Sequence, residues 1–274
     1  MAIIIGGPLS EILNGDPFGL LENDIIFGNG MNDFIRGLDG NDLLFGGQGQ
    51  DTIEGGNGND NVEGGADPDK MNGGAGRDWL SYAQSPNNAG STGGVNVDLA
   101  AGVGFGADAA GDTFINFENL AGSGFDDALF GSQGKNEIVG GAGDDRIEAR
   151  GGNDTIRGDS GADGLSGGTG RDKFVYFNIG DSPDAVGARD TIVDFTQGFD
   201  RIDLVAVDAD LTTAPNDVFT FISTAAFSFT AGELRYSFIG ADTLVEGDVD
   251  DDAIGDIGII VLGNVAFVPS DFLL

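Results

Sequence analysis

The sequence predicts an all-β protein in which short strands repeat along the chain as a solenoid, and three observations support this fold class. First, Asp recurs every nine residues, and a fixed period indicates a repeat architecture. Second, an apolar residue follows each of these Asp residues by two positions, so every repeat has one candidate inward-facing side chain. Third, the chain of 274 residues contains 50 Gly, as tight turns between short strands require.

The first run of repeats covers residues 22–80, and its clearest unit is residues 46–54, with the sequence G-G-Q-G-Q-D-T-I-E. Gly recurs four positions after most of the repeated Asp residues. The Asp residues and their apolar partners are Asp24 and Ile26, Asp33 and Ile35, Asp42 and Leu44, Asp51 and Ile53, Asp60 and Val62, Asp69 and Met71, and Asp78 and Leu80. A disordered Gly- and Asp-rich tract would not keep an apolar residue in strict register.

A second run with the same spacing covers residues 118–177, with Glu118 at its start. Its repeated polar residues are Asp127, Asn136, Asp145, Asp154, Asp163 and Asp172. Asn136 keeps a carbonyl oxygen but lacks the charge, Ala149 replaces the first Gly of its unit, and Asp67 replaces a Gly in the first run. We expect these three units to bind a cation more weakly than the others.

The period also predicts how each unit folds. Three residues around the apolar one form a short strand, and the Gly- and Asp-rich residues form a tight turn that needs positive φ. Two units complete one coil, so stacked coils align the Asp carboxylates in columns where they repel one another. A Ca²⁺ ion between successive turns removes the repulsion, because it binds six or more oxygens from carboxylates and carbonyl groups.

We therefore predict that several Ca²⁺ ions are bound by the repeated Asp residues, by Asn136 and by oxygens of the turns. The turn residues predicted to take part are Gly46, Gly47, Gly49, Gly55, Gly56, Gly58, Gly140, Gly141, Gly143, Gly167, Gly168 and Gly170.

These units resemble the repeat-in-toxin (RTX) nonapeptide G-G-x-G-x-D-x-U-x, the hemolysin-type calcium-binding repeat. The resemblance implies that each run folds as a parallel β-roll, so the expected fold is two RTX rolls within an all-β chain.

Composition limits the other functions of the chain. Its net charge of −34 disfavours nucleic acid and anionic membranes as partners and favours cations. The chain has no Cys and no His, which excludes thiolate and imidazole metal ligands and a His general base. The longest apolar stretch, residues 257–268, is interrupted by Gly and Asn and is too short to span a bilayer. We expect a metal that prefers oxygen ligands, and no membrane insertion.

Residues 81–117 and 178–274 lie outside the nonapeptide period. Alternating apolar and polar residues predict a strand at 95–99, in a stretch that we expect to connect the two rolls. After residue 178 Gly becomes rarer, and alternation near 190–204 predicts strands, with more at 233–249 and 257–268. We expect this part to be a β-sandwich-like cap domain that seals the end of the solenoid.

The last part of the chain resembles the C-terminal domain of serralysin-type (M10) metalloproteases. The matching stretches are D-T-I-V-D-F at 190–195, D-R-I-D-L at 200–204, A-G-E-L-R-Y at 231–236 and G-D-V-D at 247–250. In that family the domain contains the type I secretion signal, and the terminus Asp271–Leu274, one acid followed by three apolar residues, is similar. No signal peptide is visible at the N-terminus. The resemblance implies export to the extracellular space through a type I secretion transporter.

The predicted domains are a lead-in at 1–21, the first roll at 22–80, a connector at 81–117, the second roll at 118–177 and the serralysin-like domain at 178–274. The protease zinc motif H-E-x-x-H needs His, so we expect no protease activity and predict that the chain is not an enzyme. Two functions remain. The first is a secreted, non-enzymatic Ca²⁺-binding protein, favoured by Met1 and by a repeat-like lead-in at 11–15. The second is the exported C-terminal portion of an RTX protease, lipase or epimerase whose catalytic domain is absent.

Two further acidic stretches are candidate Ca²⁺ sites. Residues 248–256 space their acids like the start of an EF-hand loop, but Ala253 and Ile259 stand where that loop needs Gly and Glu. A solvated acidic turn is the alternative there. The second candidate consists of Asp190, Asp194, Asp200 and Asp203.

Overall fold

The computed structural model describes residues 3–7, 9–15, 23–83, 93–213 and 217–274. The chain packs as two compact units, residues 1–138 and 139–274. The five-part division predicted from the sequence stays a prediction. Met1, the boundary at residue 21 and residues 84–92 of the predicted connector lie outside the described residues.

The first unit is built from short strands. They are β1 (Ile3–Ile5), β2 (Ile12–Asn14), β3 (Ile25–Gly30), β4 (Phe34–Asp39), β5 (Leu43–Gln48), β6 (Thr52–Asn57), β7 (Asn61–Ala66), β8 (Lys70–Ala75), β9 (Trp79–Ser81), β10 (Asn96–Asp98), β11 (Val103–Phe105), β12 (Thr113–Ile115), β13 (Asn119–Ala121) and β14 (Ala128–Phe130). A short 3-10 helix covers Ala107–Ala109, and β15 (Glu137–Ala142) crosses the boundary between the units.

These strands form two sheets in which successive strands alternate, and the pairing is parallel along the repeats. One sheet has the order β1-β3-β5-β7-β9-β13, and the other begins β2-β4-β6-β8-β12. Ile26 pairs with Leu44 and Ile35 with Ile53, a shift of two nonapeptides. The prediction of a parallel β-roll with two units per coil is therefore confirmed.

The strands of the first roll are longer than the three residues expected from the sequence. β3 to β8 each have six residues, because the ladder continues through the Gly residues that were expected to form only turns. Gly47, for example, has φ 108° and still pairs with Asn29 of β3. The absence of a Cβ at such positions lets the backbone turn while neighbouring coils remain in contact.

Each repeat strand of the roll contributes one apolar side chain to the core. In each repeat strand the residue two positions after the Asp is buried, and Ile26, Ile35, Leu44, Ile53 and Val62 have no exposed surface. Between the repeats, β10, β11 and β12 form an antiparallel excursion, and β10 confirms the strand predicted at 95–99.

The second unit starts with roll strands and ends with antiparallel ones. Its strands are β16 (Arg146–Glu148), β17 (Gly151–Gly152), β18 (Thr155–Ser160), β19 (Gly164–Ser166), β20 (Thr169–Gly170), β21 (Lys173–Val175), β22 (Thr191–Ile192), β23 (Arg201–Asp203), β24 (Thr220–Ser223), β25 (Glu233–Ile239), β26 (Asp242–Asp248), β27 (Ile257–Val261) and β28 (Phe272–Leu273), with a 3-10 helix at Pro269–Asp271. Parallel pairing connects β16-β19-β22-β27 and β18-β21-β23-β28. β25, β26 and β27 pair antiparallel.

The end of the second unit has an ordinary apolar core. Phe221 on β24 and Phe272 on β28 approach within 5.1 Å between ring centroids across the two sheets, and Phe267 lies 5.2 Å from Phe272. Tyr236 contacts both Phe221 and Phe267. Two sheets packed face to face in this way give the sandwich-like cap expected from the sequence. No helix among the described residues is long and apolar enough to cross a membrane.

Candidate metal centre

The polar side chains predicted to bind metal are all buried. From Asp24 to Asp172, none of the thirteen repeated Asp and Asn side chains is more than 4 % exposed. Carboxylates are almost never buried this deeply without a partner that compensates for lost hydration. The arrangement around them therefore decides what the site can bind.

In many of these carboxylates one oxygen accepts a hydrogen bond from the backbone. The N–H of one Asp donates to Oδ1 of the Asp eighteen residues later, on the next coil. The bonds are Asp24 to Asp42 at 2.7 Å, Asp33 to Asp51 at 2.7 Å, Asp42 to Asp60 at 2.9 Å, Asp51 to Asp69 at 2.8 Å, Asp60 to Asp78 at 2.9 Å, Asp145 to Asp163 at 2.8 Å and Asp154 to Asp172 at 2.9 Å. We call these rows of linked carboxylates the Asp ladders.

Four side chains extend the Asp ladders beyond the nonapeptide period. Asp69 N donates to Asp112 Oδ1 at 2.8 Å, Asp78 N to Glu118 Oε2 at 2.9 Å, Asp163 N to Asp190 Oδ1 at 3.0 Å and Asp172 N to Asp200 Oδ1 at 2.9 Å. The sequence placed Glu118 at the start of the second run and predicted Asp190 and Asp200 as ligands of a separate site. It indicated no role for Asp112, which lies off the nine-residue period. The available signal is an acid followed two positions later by an apolar residue, as in Asp112-Thr113-Phe114.

The second oxygen of most ladder carboxylates has no donor. In the part of the chain that the structure describes, Oδ2 has neither solvent exposure nor a hydrogen-bond partner at Asp33, Asp42, Asp51, Asp60, Asp69, Asp78, Asp163 and Asp172. A buried, ionised carboxylate oxygen without a hydrogen-bond partner costs more free energy than an unpaired neutral polar group. These oxygen atoms are the main candidate ligands of a metal centre.

The first Gly of a unit borders this oxygen. A Cβ placed on Gly46 would overlap both Asp51 Oδ2 and the carbonyl oxygen of Gly64 on the next coil. Gly55 has the same relation to Asp60 and Gly73. Gly140 and Gly167 likewise border the Oδ2 atoms of Asp145 and Asp172. Carboxylate and carbonyl oxygens thus converge, which is the donor set that Ca²⁺ takes.

The other predicted Gly residues form the turns. Their φ values are 108° at Gly47, 115° at Gly49, 121° at Gly56, 132° at Gly58, 116° at Gly141, 117° at Gly143, 84° at Gly168 and 147° at Gly170. A Cβ on Gly47 would overlap the carbonyl oxygen of Asn29 on the preceding coil. These positions need Gly for conformation and for close stacking of the coils.

Burial makes the ladder carboxylates hard to ionise in the absence of metal. It raises the pKa of Asp51 and of Asp60 to about 7, although a backbone N–H bond to each opposes the rise. Burial raises the pKa of Asp69 to about 9, with the charge of Asp112 adding to the effect. Burial also raises the pKa of Asp163 to about 7, and burial with the charge of Asp163 raises that of Asp190 to about 9. A bound cation would reverse this penalty by favouring the charged form.

Two predicted ligands differ from the rest. Asp127 Oδ2 accepts a bond from Ser123 N at 2.6 Å, and its Oδ1 accepts from Val95 N at 2.7 Å and Ser123 Oγ at 2.9 Å. Asn136 Oδ1 accepts from Ser132 N at 2.7 Å, and its Nδ2 donates to the Glu118 carbonyl oxygen at 2.5 Å. Protein groups therefore bond the side-chain oxygens of both residues.

The second acidic candidate does not form one cluster. Asp190 and Asp200 extend the ladders, whereas Asp194 bonds a roll turn, accepting from Ser166 Oγ at 2.6 Å, Gly167 N at 3.0 Å and Gly168 N at 2.8 Å. Asp203 pairs with Lys173 at 3.0 Å.

The EF-hand-like stretch does bring three acids together. Carboxylate oxygens of Asp248, Asp250 and Asp256 lie within 4.8 Å of one another. Backbone N–H groups of Asp250 and Ala253 donate to the buried Asp248 carboxylate at 3.2 and 3.0 Å. The loop is therefore held by its own backbone donors.

Comparison with family models identifies the family of the chain. The chain matches the family model "Peptidase M10 serralysin C terminal" over residues 19–274, and it belongs to this family. No curated protein gives a match to the chain.

Three solved structures are similar to parts of the chain. Two are solution structures of different subunits of the mannuronan C5-epimerase of Azotobacter vinelandii. One has 27 % identity and a TM-score of 0.41, with 54 % of this chain and 78 % of that one covered. The other has 30 % identity and a TM-score of 0.44, with 57 % and 92 % covered. The third, the extracellular lipase of Serratia marcescens, has 16 % identity and a TM-score of 0.36, with 92 % and 38 % covered.

Proposed function

We propose that this chain is an exported, non-enzymatic RTX module whose Asp ladders bind several Ca²⁺ ions and fold when they do so. The observation that supports it most directly is the row of buried Oδ2 atoms without a donor, from Asp33 to Asp78, among the described residues. Each ion would take Oδ2 of a ladder Asp and turn carbonyl oxygens such as that of Gly64. The chain offers neither thiolate nor imidazole, so a hard, oxygen-binding cation fits it best.

Folding and binding are coupled in this proposal. Without a cation the roll buries carboxylates whose charge is unfavourable, in a chain with net charge −34. Affinities of extracellular Ca²⁺ modules are about 10⁻⁴–10⁻³ M, well above the free Ca²⁺ concentration that cytosolic sensors detect. The roll would therefore stay unfolded inside the cell and fold outside.

A Ca²⁺ titration tests the proposal. Far-UV circular dichroism should show β-structure appearing as Ca²⁺ is added to metal-free protein, with Mg²⁺ as the matched control ion. Asp51→Ala should raise the Ca²⁺ midpoint more than Asn136→Ala, because a charged, donor-free ligand is lost. A roll that is fully folded in excess chelator, or equal effects of the two variants, would overturn this proposal.

Export through a type I transporter is the second part of the proposal, and the family membership supports it. In the folded chain Asp271 is fully buried and accepts bonds from Val268 N at 2.9 Å and Gly198 N at 3.3 Å. Phe272 pairs with Ile202 of β23. The predicted signal is therefore also part of the fold. Its deletion would remove the signal and would also remove the pairing of β28 with β23, so an experiment must separate these two effects.

The amount of protein released by cells that co-express a matching transporter separates loss of the signal from loss of the strand pair. Deleting Asp271–Leu274 should abolish release, whereas Ile202→Ala, which weakens the same strand pair but keeps the terminus, should not. Full release of the truncated chain, or loss of release in Ile202→Ala alone, would contradict a C-terminal signal.

A second candidate function is the exported C-terminal module of a longer RTX enzyme. The matching family describes the C-terminal part of serralysin peptidases, which favours this candidate. Mass determination of the endogenous secreted protein distinguishes the two: a mass of 28.0 kDa fits the chain alone, and a larger mass fits an enzyme module.

A further inference from the structure

Carboxylates of the Asp ladders in the first unit differ in whether a protein group donates a hydrogen bond to Oδ2. At Asp33, Asp42, Asp51, Asp60, Asp69 and Asp78, no described residue donates a hydrogen bond to the buried Oδ2. At Asp112 a protein group does so: the Tyr82 hydroxyl donates to Asp112 Oδ2 at 2.9 Å. Asp112 is 1 % exposed, so its burial is the same as that of the donor-free carboxylates.

Tyr82 stands at a position that the repeat reserves for Gly. It follows Asp78 by four residues, as Gly28, Gly37, Gly46, Gly55, Gly64 and Gly73 follow their own Asp residues. In the regular units the space beside that Gly contains an Asp Oδ2 atom. At the end of the run, a tyrosine replaces the Gly, and its hydroxyl reaches the next ladder carboxylate. Burial and the charge of Asp112 raise the pKa of Tyr82, so its hydroxyl keeps the proton that it donates.

Serine takes a comparable position before Asp127 and Asn136. Ser123 and Ser132 precede them by four residues, where the unit of Asp51 has Gly47. Gly47 has positive φ, a conformation that neither Ser123 nor Ser132 adopts. The Ser123 N–H donates to Asp127 Oδ2 and the Ser123 hydroxyl to Asp127 Oδ1. The Ser132 N–H and hydroxyl both donate to Asn136 Oδ1, the hydroxyl at 3.2 Å.

We propose that Tyr82, Ser123 and Ser132 replace the cation at Asp112, Asp127 and Asn136. These three side chains then bind no ion, and the row of Ca²⁺ sites is interrupted between the two runs. Hydroxyl and amide N–H groups donate to the oxygen acceptors that would elsewhere bind a metal, and hydrogen bonds of this kind stabilise an ionised carboxylate. The inference rests on the proposed Ca²⁺ binding of the donor-free carboxylates. It removes Asp127 and Asn136 from the ligands that the nonapeptide spacing predicts.

Counting bound Ca²⁺ ions tests the inference in the full chain. Calorimetry or equilibrium dialysis with Ca²⁺ should give the same number of ions for Asp112→Asn and Asp127→Asn as for the unchanged protein. Asp60→Asn is the matched control, because it makes the same substitution at a donor-free carboxylate, and it should lose at least one ion. If the Asp112→Asn variant and the Asp60→Asn variant each lose an ion, the inference is overturned. No loss in Asp60→Asn would instead contradict the proposed Ca²⁺ binding.

A double-mutant cycle keeps the inference testable if one variant folds poorly. Tyr82→Phe removes the donor and leaves Asp112 Oδ2 buried without one, so the Ca²⁺-loaded protein should melt at a lower temperature. In the Asp112→Asn background the same change should cost much less, because the acceptor charge is gone. Tyr236→Phe, at another buried tyrosine, is the control and should be indifferent to Asp112→Asn. Additive effects of Tyr82→Phe and Asp112→Asn on the melting temperature would contradict the proposal that the Tyr82 hydroxyl replaces a cation at Asp112.

Discussion

The repeat region at 23–81 and the C-terminal region at 191–273 are both β-structures, but they bury different groups. The repeat region has one apolar side chain per strand and a row of buried carboxylates. The C-terminal region has clustered aromatic rings, including Phe221, Phe267 and Phe272. Apolar burial stabilises a fold by itself, whereas buried carboxylates destabilise it until a cation arrives. Under the proposed Ca²⁺ binding, the repeat region would depend on a metal for folding, whereas the aromatic core of the C-terminal region would not.

The largest expected effect comes from removing Ca²⁺. A chelator should strip hydrogen-exchange protection from residues 23–81 while residues 191–273 stay more protected, because only the first region depends on a cation for its buried charges. Exchange followed by mass spectrometry in Ca²⁺ and in chelator measures both regions in one sample. Equal loss of hydrogen-exchange protection in the two regions would show that they do not differ in their dependence on Ca²⁺.

Two core substitutions sharpen the comparison. Ile53→Ala and Phe267→Ala should each cost about 3 kcal/mol or more of unfolding free energy, because both side chains are buried. Only Ile53→Ala should also raise the Ca²⁺ midpoint, since it weakens the part whose folding is coupled to binding. Denaturant unfolding at saturating Ca²⁺ and a Ca²⁺ titration of each variant provide the two measurements. A raised Ca²⁺ midpoint for Phe267→Ala would show that folding of the C-terminal region is also coupled to Ca²⁺ binding.

The metal-free protein should become more stable as the pH falls from about 8 to about 5. The folded pKa values of Asp51, Asp60 and Asp163 are about 7 and that of Asp69 is about 9, all above the ordinary value of 3.8. Such groups contribute full stability below their unfolded pKa, and the contribution is lost as the pH rises through the folded pKa. Each proton taken up on folding changes the folding equilibrium by about tenfold per pH unit.

Far-UV circular dichroism of metal-free protein at several pH values between these limits checks this prediction, because the β-structure of the roll should increase as the pH falls. Ca²⁺-saturated protein is the control and should show a weaker dependence or the opposite one, because bound Ca²⁺ favours the ionised carboxylates. Stability of the metal-free protein that rises with pH would show that the ladder carboxylates are not protonated in the folded state.

The smallest effect is expected on the outer face of the roll. Arg36 and Glu54 on neighbouring strands form an ion pair at 2.9 Å, with both side chains over 40 % exposed. Exposed pairs contribute at most about 1 kcal/mol, so Arg36→Gln should change the melting temperature little. Lys173→Gln, at the less exposed pair with Asp203, is a useful comparison. A large effect of Arg36→Gln would show that the surface of the roll adds more stability than its exposure suggests.

The nonapeptide period predicted much of the fold because each position of the unit has one structural role, such as burial in the core or positive φ in a turn. Ile53 is buried, Gly47 has positive φ and Asp51 is in a ladder, all as the spacing indicates. The ends of the ladders were harder to predict, because Asp112 lies forty-three residues after Asp69. Spacing also could not separate Asp127, with its Ser123 donors, from the donor-free Asp60.

The sequence by itself determined the all-β class, the two units per coil, the buried apolar row and the choice of oxygen over sulfur or nitrogen as a metal ligand. These features follow from residues nine or eighteen positions apart, whose relation is fixed by the geometry of one coil. Only the tertiary structure decided which carboxylate oxygens accept backbone hydrogen bonds, and which buried oxygens have no donor among the described residues. That distinction depends on donors such as the Tyr82 hydroxyl, which folding brings to Asp112 from thirty residues away.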